Sequence, residues 1–259
     1  MKKDIIAVIP SHLASIRFPN KILLNILGFP MIEHVRRRAM LSSKLKKNVY
    51  IATCDKKISN KLLEYSVKTI STSKKHKNGT NRVAEAIKNI SCSHVILLQG
   101  DEPLLLPKYI DSLIEKIKNS PQIDAWNLTA PIKKDQQFKD NSIVKCKLNS
   151  KKEIIELYRS KKINQIFNKK KNRKILGIIA FRKDFLLKLV KLKASKNEMI
   201  NSIEQSRIID NNYKLISVNV PNSLPSINLK KDEKIVKNYL IKNRLQKKIL
   251  NKIINFYEN

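Results

Sequence analysis

What is missing narrows the field first. No run of about 18 uninterrupted apolar residues occurs in the 259 residues, so no membrane-spanning helix is expected. Met1-Lys2-Lys3-Asp4 leads straight into an apolar stretch at 5–9, without the basic, apolar, small-residue succession of a signal peptide. The three cysteines, Cys54, Cys92 and Cys146, have neither metal-site nor disulfide-framework spacing, which suits reduced thiols in a cytoplasmic protein. Acidic residues are scarce: 21 Asp and Glu stand against 54 Lys and Arg, a net charge of +33. Such a surface attracts nucleic acid or anionic lipid. The lysines, however, are spread along the whole chain, with no arginine-plus-aromatic platform for a single strand. Lys, Ile and Asn are all abundant, so compositional drift explains the charge and no specific nucleic-acid partner is expected.

What is present reads as α/β. Hydrophobic content of 42% is enough for a full core. Apolar runs predict strands at 5–9, 48–52, 67–70, 95–98, 126–132, 143–148, 175–181 and 215–220. Helical patterns fall at 31–39, 59–65, 80–90, 107–117 and 198–209. Alternation over the first 120 residues predicts a mostly parallel, doubly wound sheet. The segment 160–174, nearly all Lys, Asn, Ile and Gln, reads as a solvated surface loop. At 232–256, Ile235, Val236, Tyr239, Leu245, Ile249, Ile253 and Ile254 recur near helical spacing between lysines. That stripe either packs on its own domain or a subunit, or lies on a membrane.

Four short strings carry chemistry. Ile9-Pro-Ser-His-Leu-Ala-Ser-Ile-Arg-Phe-Pro-Asn-Lys21 leaves the first strand as a loop with small residues and two cations four apart. Ser11, Ala14 and Ser15 let backbone N–H groups approach a phosphate, while Arg17 and Lys21 can follow charge on phosphate oxygens. The plain alternative is a basic surface turn. Gln99-Gly-Asp-Glu-Pro103 places Asp101 at a strand tip, where a carboxylate either holds Mg²⁺ against a nucleotide or caps the next helix. Asn78-Gly-Thr-Asn-Arg82 reads as a loop with a Gly79–Thr80 cap, or as a contact to a base or phosphate. Ile203-Glu-Gln-Ser-Arg207 lies in the predicted helix 198–209 and alone is an ordinary polar turn. In an open α/β sheet ligands sit beyond the carboxyl ends of the strands, so loops of opposite charge there suit a polyphosphate and its metal.

In this order the four strings resemble the cytidylyltransferases that activate 3-deoxy-manno-octulosonate (Kdo). That family's first loop runs approximately I-P-A-R-x-A-S-T-R-L-P-G-K, followed by L-x-x-I-x-G-K-P-M-I-x-H-V. Leu23, Ile26, Gly28, Pro30-Met31-Ile32 and His34-Val35 keep that register. The family strings S-G-T-D/E-R, V-Q-G-D-E-P and I-E-Q-L-R match 78–82, 98–103 and 203–207, and agreement extends over about 4–236. The resemblance implies a Rossmann-like nucleotide-diphospho-sugar transferase fold, a mostly parallel sheet with helices on both faces and a smaller α/β dimerisation lobe. It divides the chain into a nucleotidyltransferase core of 1–132 and 175–236, a lobe of 133–174 plus 182–197, and a basic C-terminal helix at 237–259. It implies a homodimer that converts CTP and Kdo to CMP-Kdo and pyrophosphate with Mg²⁺, for lipopolysaccharide biosynthesis. By position, Arg17, Lys21 and Asp101 are the catalytic candidates. Ser11, His12, Ser15, Arg17, Lys21, Thr80 and Arg82 would meet the nucleotide. Gln99, Arg159, Glu204 and Gln205 would meet the sugar acid, and Asp101 with Asn228 the metal.

The departures fall on functional positions. The family's first-loop Arg is His12, its Thr is Ile16, and its Gly before Lys21 is Asn20. The second metal carboxylate, from a G-V-D-T-P-E-D segment, becomes Asn228, with Asp232 four residues on. The sugar-site His and Tyr of H-L-G-I-Y become Ile175 and Ile179. These changes leave two alternatives: a transferase for another acidic sugar, such as the 8-amino analogue, or a weakened member that acts as a binding protein.

Overall fold

In the computed structural model, which describes residues 4–45, 48–133, 135–159 and 172–256, the apolar opening stretch becomes strand β1 (Ile5–Ser11). Its residues from Ile6 to Ser11 are all buried, so side chains pointing to either face are covered, as in a parallel sheet under helices. The chain packs as two units, one of 1–111 with 224–259 and the other of 112–223.

In the first unit β1 is followed by the hairpin β2 (Asn25–Ile26) and β3 (Phe29–Pro30), then α1 (Met31–Met40), β4 (Val49–Thr53) and α2 (Lys56–Leu63). β5 (Ile70–Ser71), α3 (Gly79–Ile87), β6 (His94–Leu98) and the start of α4 (Pro107–Asn119) complete the alternation. β1 pairs in parallel with β4 and β6, and β4 with β5, giving the order β6-β1-β4-β5. The strand expected at 67–70 is only β5, because Val67 closes the end of α2 through its bond to Leu62 O. The hairpin turns at Leu27 (φ 49°) and Gly28 (φ 98°), a left-handed pair that needs glycine at its second position. α3 begins at Gly79, not after it. Its cap is Asn78, whose side chain accepts from Asn81 N.

The second unit holds β7 (Ala125–Pro131), α5 (Asp135–Lys139), β8 (Lys145–Leu148), β9 (Ile154–Tyr158) and β10 (Asn172–Arg182). α6 (Lys183–Leu189), α7 (Lys196–Asn201), α8 (Ser206–Asp210) and β11 (Leu215–Asn219) follow. β11 runs parallel to β7, while β7–β10, β10–β8 and β8–β9 are antiparallel. β7, β10 and β11 therefore share a unit with 133–159 and 182–197, although the sequence division groups them with the nucleotide core. Of the expected surface loop, 160–171 lies outside the described residues, and 172–174 belong to β10. The register of β10 against β7 shifts between Ile175 and Ile179. Buried Asn127 answers that irregularity: its Nδ2 donates to the carbonyls of Leu128, Leu176 and Ile178.

Two predicted helices are broken. The one at 198–209 splits into α7 and α8 at Ser202, whose φ of 51° is left-handed. Arg207 fixes the break by a two-pronged pair to Glu198, at 2.7 and 2.6 Å, while Glu198 also closes a capping box with Ser195. The C-terminal stripe splits into α9 (Asp232–Lys242) and α10 (Arg244–Ile254) at Asn243, which caps α10 by accepting from Gln246 N.

α10 packs on its own unit. It buries Gln246, Ile249, Leu250 and Ile253, at about 1.5–3 kcal/mol per large aliphatic side chain. Arg37 donates to Ile253 O, and Arg38 donates to Gln246 Oε1 and Leu105 O. On the same helix as these arginines, fully buried Glu33 takes both Arg36 and Arg37.

Candidate active site

The first loop is folded by its own backbone and by one distant carboxylate. β1 ends at buried Ser11, whose hydroxyl donates to Ala52 O at 3.4 Å and so faces the neighbouring strand. Leu13 N donates to Asp55 Oδ2, and Ser15 N and Asn20 N both return to Leu13 O. Asn20 closes the loop at φ 58°, a left-handed position that asparagine tolerates better than most residues. A glycine, as in the family pattern, would meet the same backbone demand. Ile16 is 98% exposed at the loop's tip.

A short 3-10 turn, Lys21–Leu23, then brings Lys21 to the second loop. Lys21 Nζ donates to Asp101 Oδ2 at 2.6 Å and to Ile227 O at 3.0 Å, and Ile227 N donates to Asp101 O. Gly100 permits this approach, because a Cβ there would stand 2.5 Å from the Ile22 Cδ1 atom. Arg17 Nη2 donates to Asn228 Oδ1 at 3.3 Å, and Asn228 Nδ2 to Ser226 Oγ. Arg17, Lys21, Asp101 and Asn228 thus come from three separate stretches into one hydrogen-bonded group. Asp101 meets a cation rather than capping α4. Asp232 turns elsewhere: its Oδ2 accepts from the N–H groups of Asn228 and Leu229.

His12 begins the loop at the surface. Partial burial lowers its pKa below the usual 6.5, Arg82 and Lys21 lower it further, and Asp55 opposes them. The imidazole is therefore neutral at pH 7, and the fixed charge of the family's arginine is absent. Arg82 is buried on α3, and its Nη1 donates to Thr72 Oγ1 and Ser73 O. Gly79, at the start of that helix, sits against Pro10, with 3.0 Å from an added Cβ to the Pro10 Cγ atom. Thr80 lies in the first turn of α3, half-buried. Ser15 is half-buried within the first loop.

The residues expected at the sugar acid divide between the units. Gln99 is exposed at the tip of β6 in the first. In the second, Arg159 donates to four backbone carbonyls, those of Asn141, Ser142, Asn201 and Ser202. Glu204 and Gln205 are half-buried in the turn between α7 and α8. Ile179 is buried and Ile175 half-buried on β10. Sequence reasoning missed Asp55 and the Ile227 carbonyl. Neither carries a sequence signal, since each acts through a backbone contact set by the fold.

A metal fits this donor set narrowly. No group of three or more His, Cys, Asp or Glu suited to a metal occurs among the described residues. Asp101 offers one carboxylate and Asn228 one amide oxygen, which matches how Mg²⁺ is held when most of its ligands are water and substrate phosphate. The Lys21 ammonium on Asp101 Oδ2 and Ile227 O shows that a cation is accommodated by these oxygens.

Comparison with known proteins agrees with this chemistry. The cytidylyltransferase family model matches residues 6–216, which makes the chain a nucleotidyltransferase by class. The 3-deoxy-manno-octulosonate cytidylyltransferase of Fusobacterium nucleatum is 31% identical over 93% of this chain and 98% of its own. That of Thermodesulfovibrio yellowstonii is 35% identical over 81% and 88%. A solved CMP:2-keto-3-deoxy-manno-octonic acid synthetase complexed with CTP matches with TM-score 0.85 and 28% identity, over 92% of this chain and 98% of that one. The chain belongs to the 3-deoxy-manno-octulosonate cytidylyltransferase family.

Proposed function

We propose that the protein transfers the cytidylyl group of CTP to 3-deoxy-manno-octulosonate, releasing pyrophosphate. The anomeric hydroxyl oxygen bonds to the α-phosphorus in line and its proton passes to solvent, while the α–β bridging P–O bond breaks and pyrophosphate leaves. The observation that supports this most is the meeting of Arg17, Lys21, Asp101 and Asn228 in one group. Arg17 and Lys21 hold the triphosphate, their present partners being a neutral amide, a carbonyl and one carboxylate that a phosphate can replace. Mg²⁺ bound to Asp101 and Asn228 Oδ1 would neutralise charge on the nonbridging oxygens. Ser11, His12 and Ser15 shape the loop, and Thr80 and Arg82 border the nucleotide from α3. Gln99, Glu204 and Gln205 serve the sugar acid, and Arg159 supports Glu204 and Gln205 by bracing the neighbouring carbonyls of Asn201 and Ser202. The enzyme works as a cytoplasmic homodimer, with the lobe of 133–174 and 182–197 as its dimerisation region.

A second reading, a different acidic sugar, is favoured by Ile175 and Ile179, where two polar side chains of the family pattern have become aliphatic. Pyrophosphate release tests both. The proposal expects release that requires CTP, Kdo and Mg²⁺ together. Release with only another sugar acid would favour the second reading. No release with Kdo or its 8-amino analogue at millimolar Mg²⁺ would defeat the first.

A further inference from the structure

Asp55 holds the N-cap position of α2, yet its side chain does not cap that helix. Aspartate there ordinarily accepts from an N–H of the helix's own first turn. Here Oδ2 accepts from Leu13 N at 2.9 Å, across 42 residues of chain. The half-buried Cys54 thiol adds a weak bond to the same oxygen. A helix cap has been given up for a contact to the first loop.

Leu13 is where that loop is fastened. Its carbonyl accepts from Ser15 N and Asn20 N, at 2.9 and 3.2 Å. The second bond closes a ring of chain from 13 to 20, with Arg17 inside it and Lys21 immediately after. Among the described residues, the bond to Asp55 is the one that ties the backbone of 13–20 to a distant part of the chain. The other distant ties are made by the Arg17 and Lys21 side chains, to Asn228, Asp101 and Ile227. Those are the contacts a triphosphate would replace. With them exchanged, Asp55 is the hydrogen-bonded link that still holds the ring to the scaffold.

The charge of Asp55 works against this placement. Burial and Arg82 lower the His12 pKa and Asp55 opposes them, so the carboxylate lies within electrostatic reach of the loop's first residue. A negative charge there repels a triphosphate. What Asp55 contributes is therefore its acceptor oxygen.

We propose that Asp55 is a positioning residue for the transfer: through Leu13 it fixes the first loop in the form that presents Arg17 and Lys21 to the triphosphate. The presence of a triphosphate rests on the proposed function; the anchoring of the loop does not.

Full-length wild type, Asp55→Ala and Asp55→Asn test this by titration calorimetry with CTP, by transfer kinetics and by amide hydrogen exchange of the loop. Asparagine keeps an acceptor for Leu13 N and removes the charge, whereas alanine removes both. Asp55→Ala is expected to bind CTP about tenfold more weakly, and Asp55→Asn at least as tightly as wild type. In the transfer assay the KM for CTP follows these affinities while the KM for Kdo stays fixed, a split that a general loss of structure would not give. Exchange at Ser15 and Asn20 quickens together with that at Leu13 in Asp55→Ala and not in Asp55→Asn. Equal CTP affinity in wild type and Asp55→Ala would overturn the proposal. A change of the same sign and size in both variants would also overturn it, since that is the mark of charge alone. Wild type that binds no CTP would overturn the proposed function. The anchor is then decided by exchange, and unchanged rates at Leu13, Ser15 and Asn20 in Asp55→Ala would refute it.

Discussion

The cations of the first loop and those of the second unit look alike in sequence and are held differently. Arg17 and Lys21 rest on an amide, a carbonyl and one carboxylate at a loop surface. Arg159 instead donates to four backbone carbonyls, and Lys145, fully buried, to those of Asp140 and Arg159. Arg207 is locked to Glu198. The first pair can exchange partners for a ligand at small cost, whereas the second group ties chain segments together. A matched arginine in a family string is therefore a ligand contact or a brace according to its partners, and only the fold shows which.

Removing a cation from each side separates these roles. Lys21→Met has the largest expected effect, a fall in kcat/KM for CTP of about 10²-fold or more with the unfolding temperature little changed. A loss below about threefold would place Lys21 outside the transfer site.

His34 tests the scaffold behind that loop. It is wholly buried on α1 and bonds to Ile26 O through Nε2, and burial drives its pKa from 6.5 to about 4. The unfolded chain takes up the proton near 6.5 and the folded chain only near 4, so stability falls as pH drops through that window. The expected contribution is on the order of 3 kcal/mol. Denaturant unfolding between pH 7 and 4 should show a steeper decline in wild type than in His34→Leu, and parallel curves would refute the assignment.

Arg159→Ala and Arg17→Ala put the comparison directly. The first should lose about 1–3 kcal/mol of stability. The second should stay within about 0.5 kcal/mol and lose about tenfold in activity. A stable, inactive Arg159→Ala would reverse the distinction drawn here. The smallest effect is expected from Asn228→Asp, which restores a charge beside Asp101 and should lower the half-saturating Mg²⁺ by about three- to tenfold. An unchanged Mg²⁺ titration removes Asn228 from the metal position.

Much of this was legible in the chain. Continuous apolar runs located β1 and β6 because strands buried on both faces are lined almost wholly by apolar residues. The first loop and Asp101 could be paired because both leave the carboxyl ends of adjacent strands. Breaks were harder. A left-handed serine at 202 and an asparagine cap at 243 interrupt stripes whose hydrophobic period continues across them. β9 went unseen because Ile155 is exposed and Glu156 half-buried in a five-residue strand, so apolar alternation fails there. The charge of Arg159 was legible in the sequence, whereas the four backbone carbonyls it donates to were not. The departure at Asn20 looked functional until its φ showed a backbone requirement.

The central claim is that Asp101 brings a metal to the triphosphate held by Arg17 and Lys21. It is tested most directly by the affinity for CTP with and without Mg²⁺, measured in wild type and in Asp101→Asn. The account predicts that Mg²⁺ tightens CTP binding to wild type and that Asp101→Asn abolishes the increment while still binding free CTP. An equal Mg²⁺ increment in both proteins would contradict it.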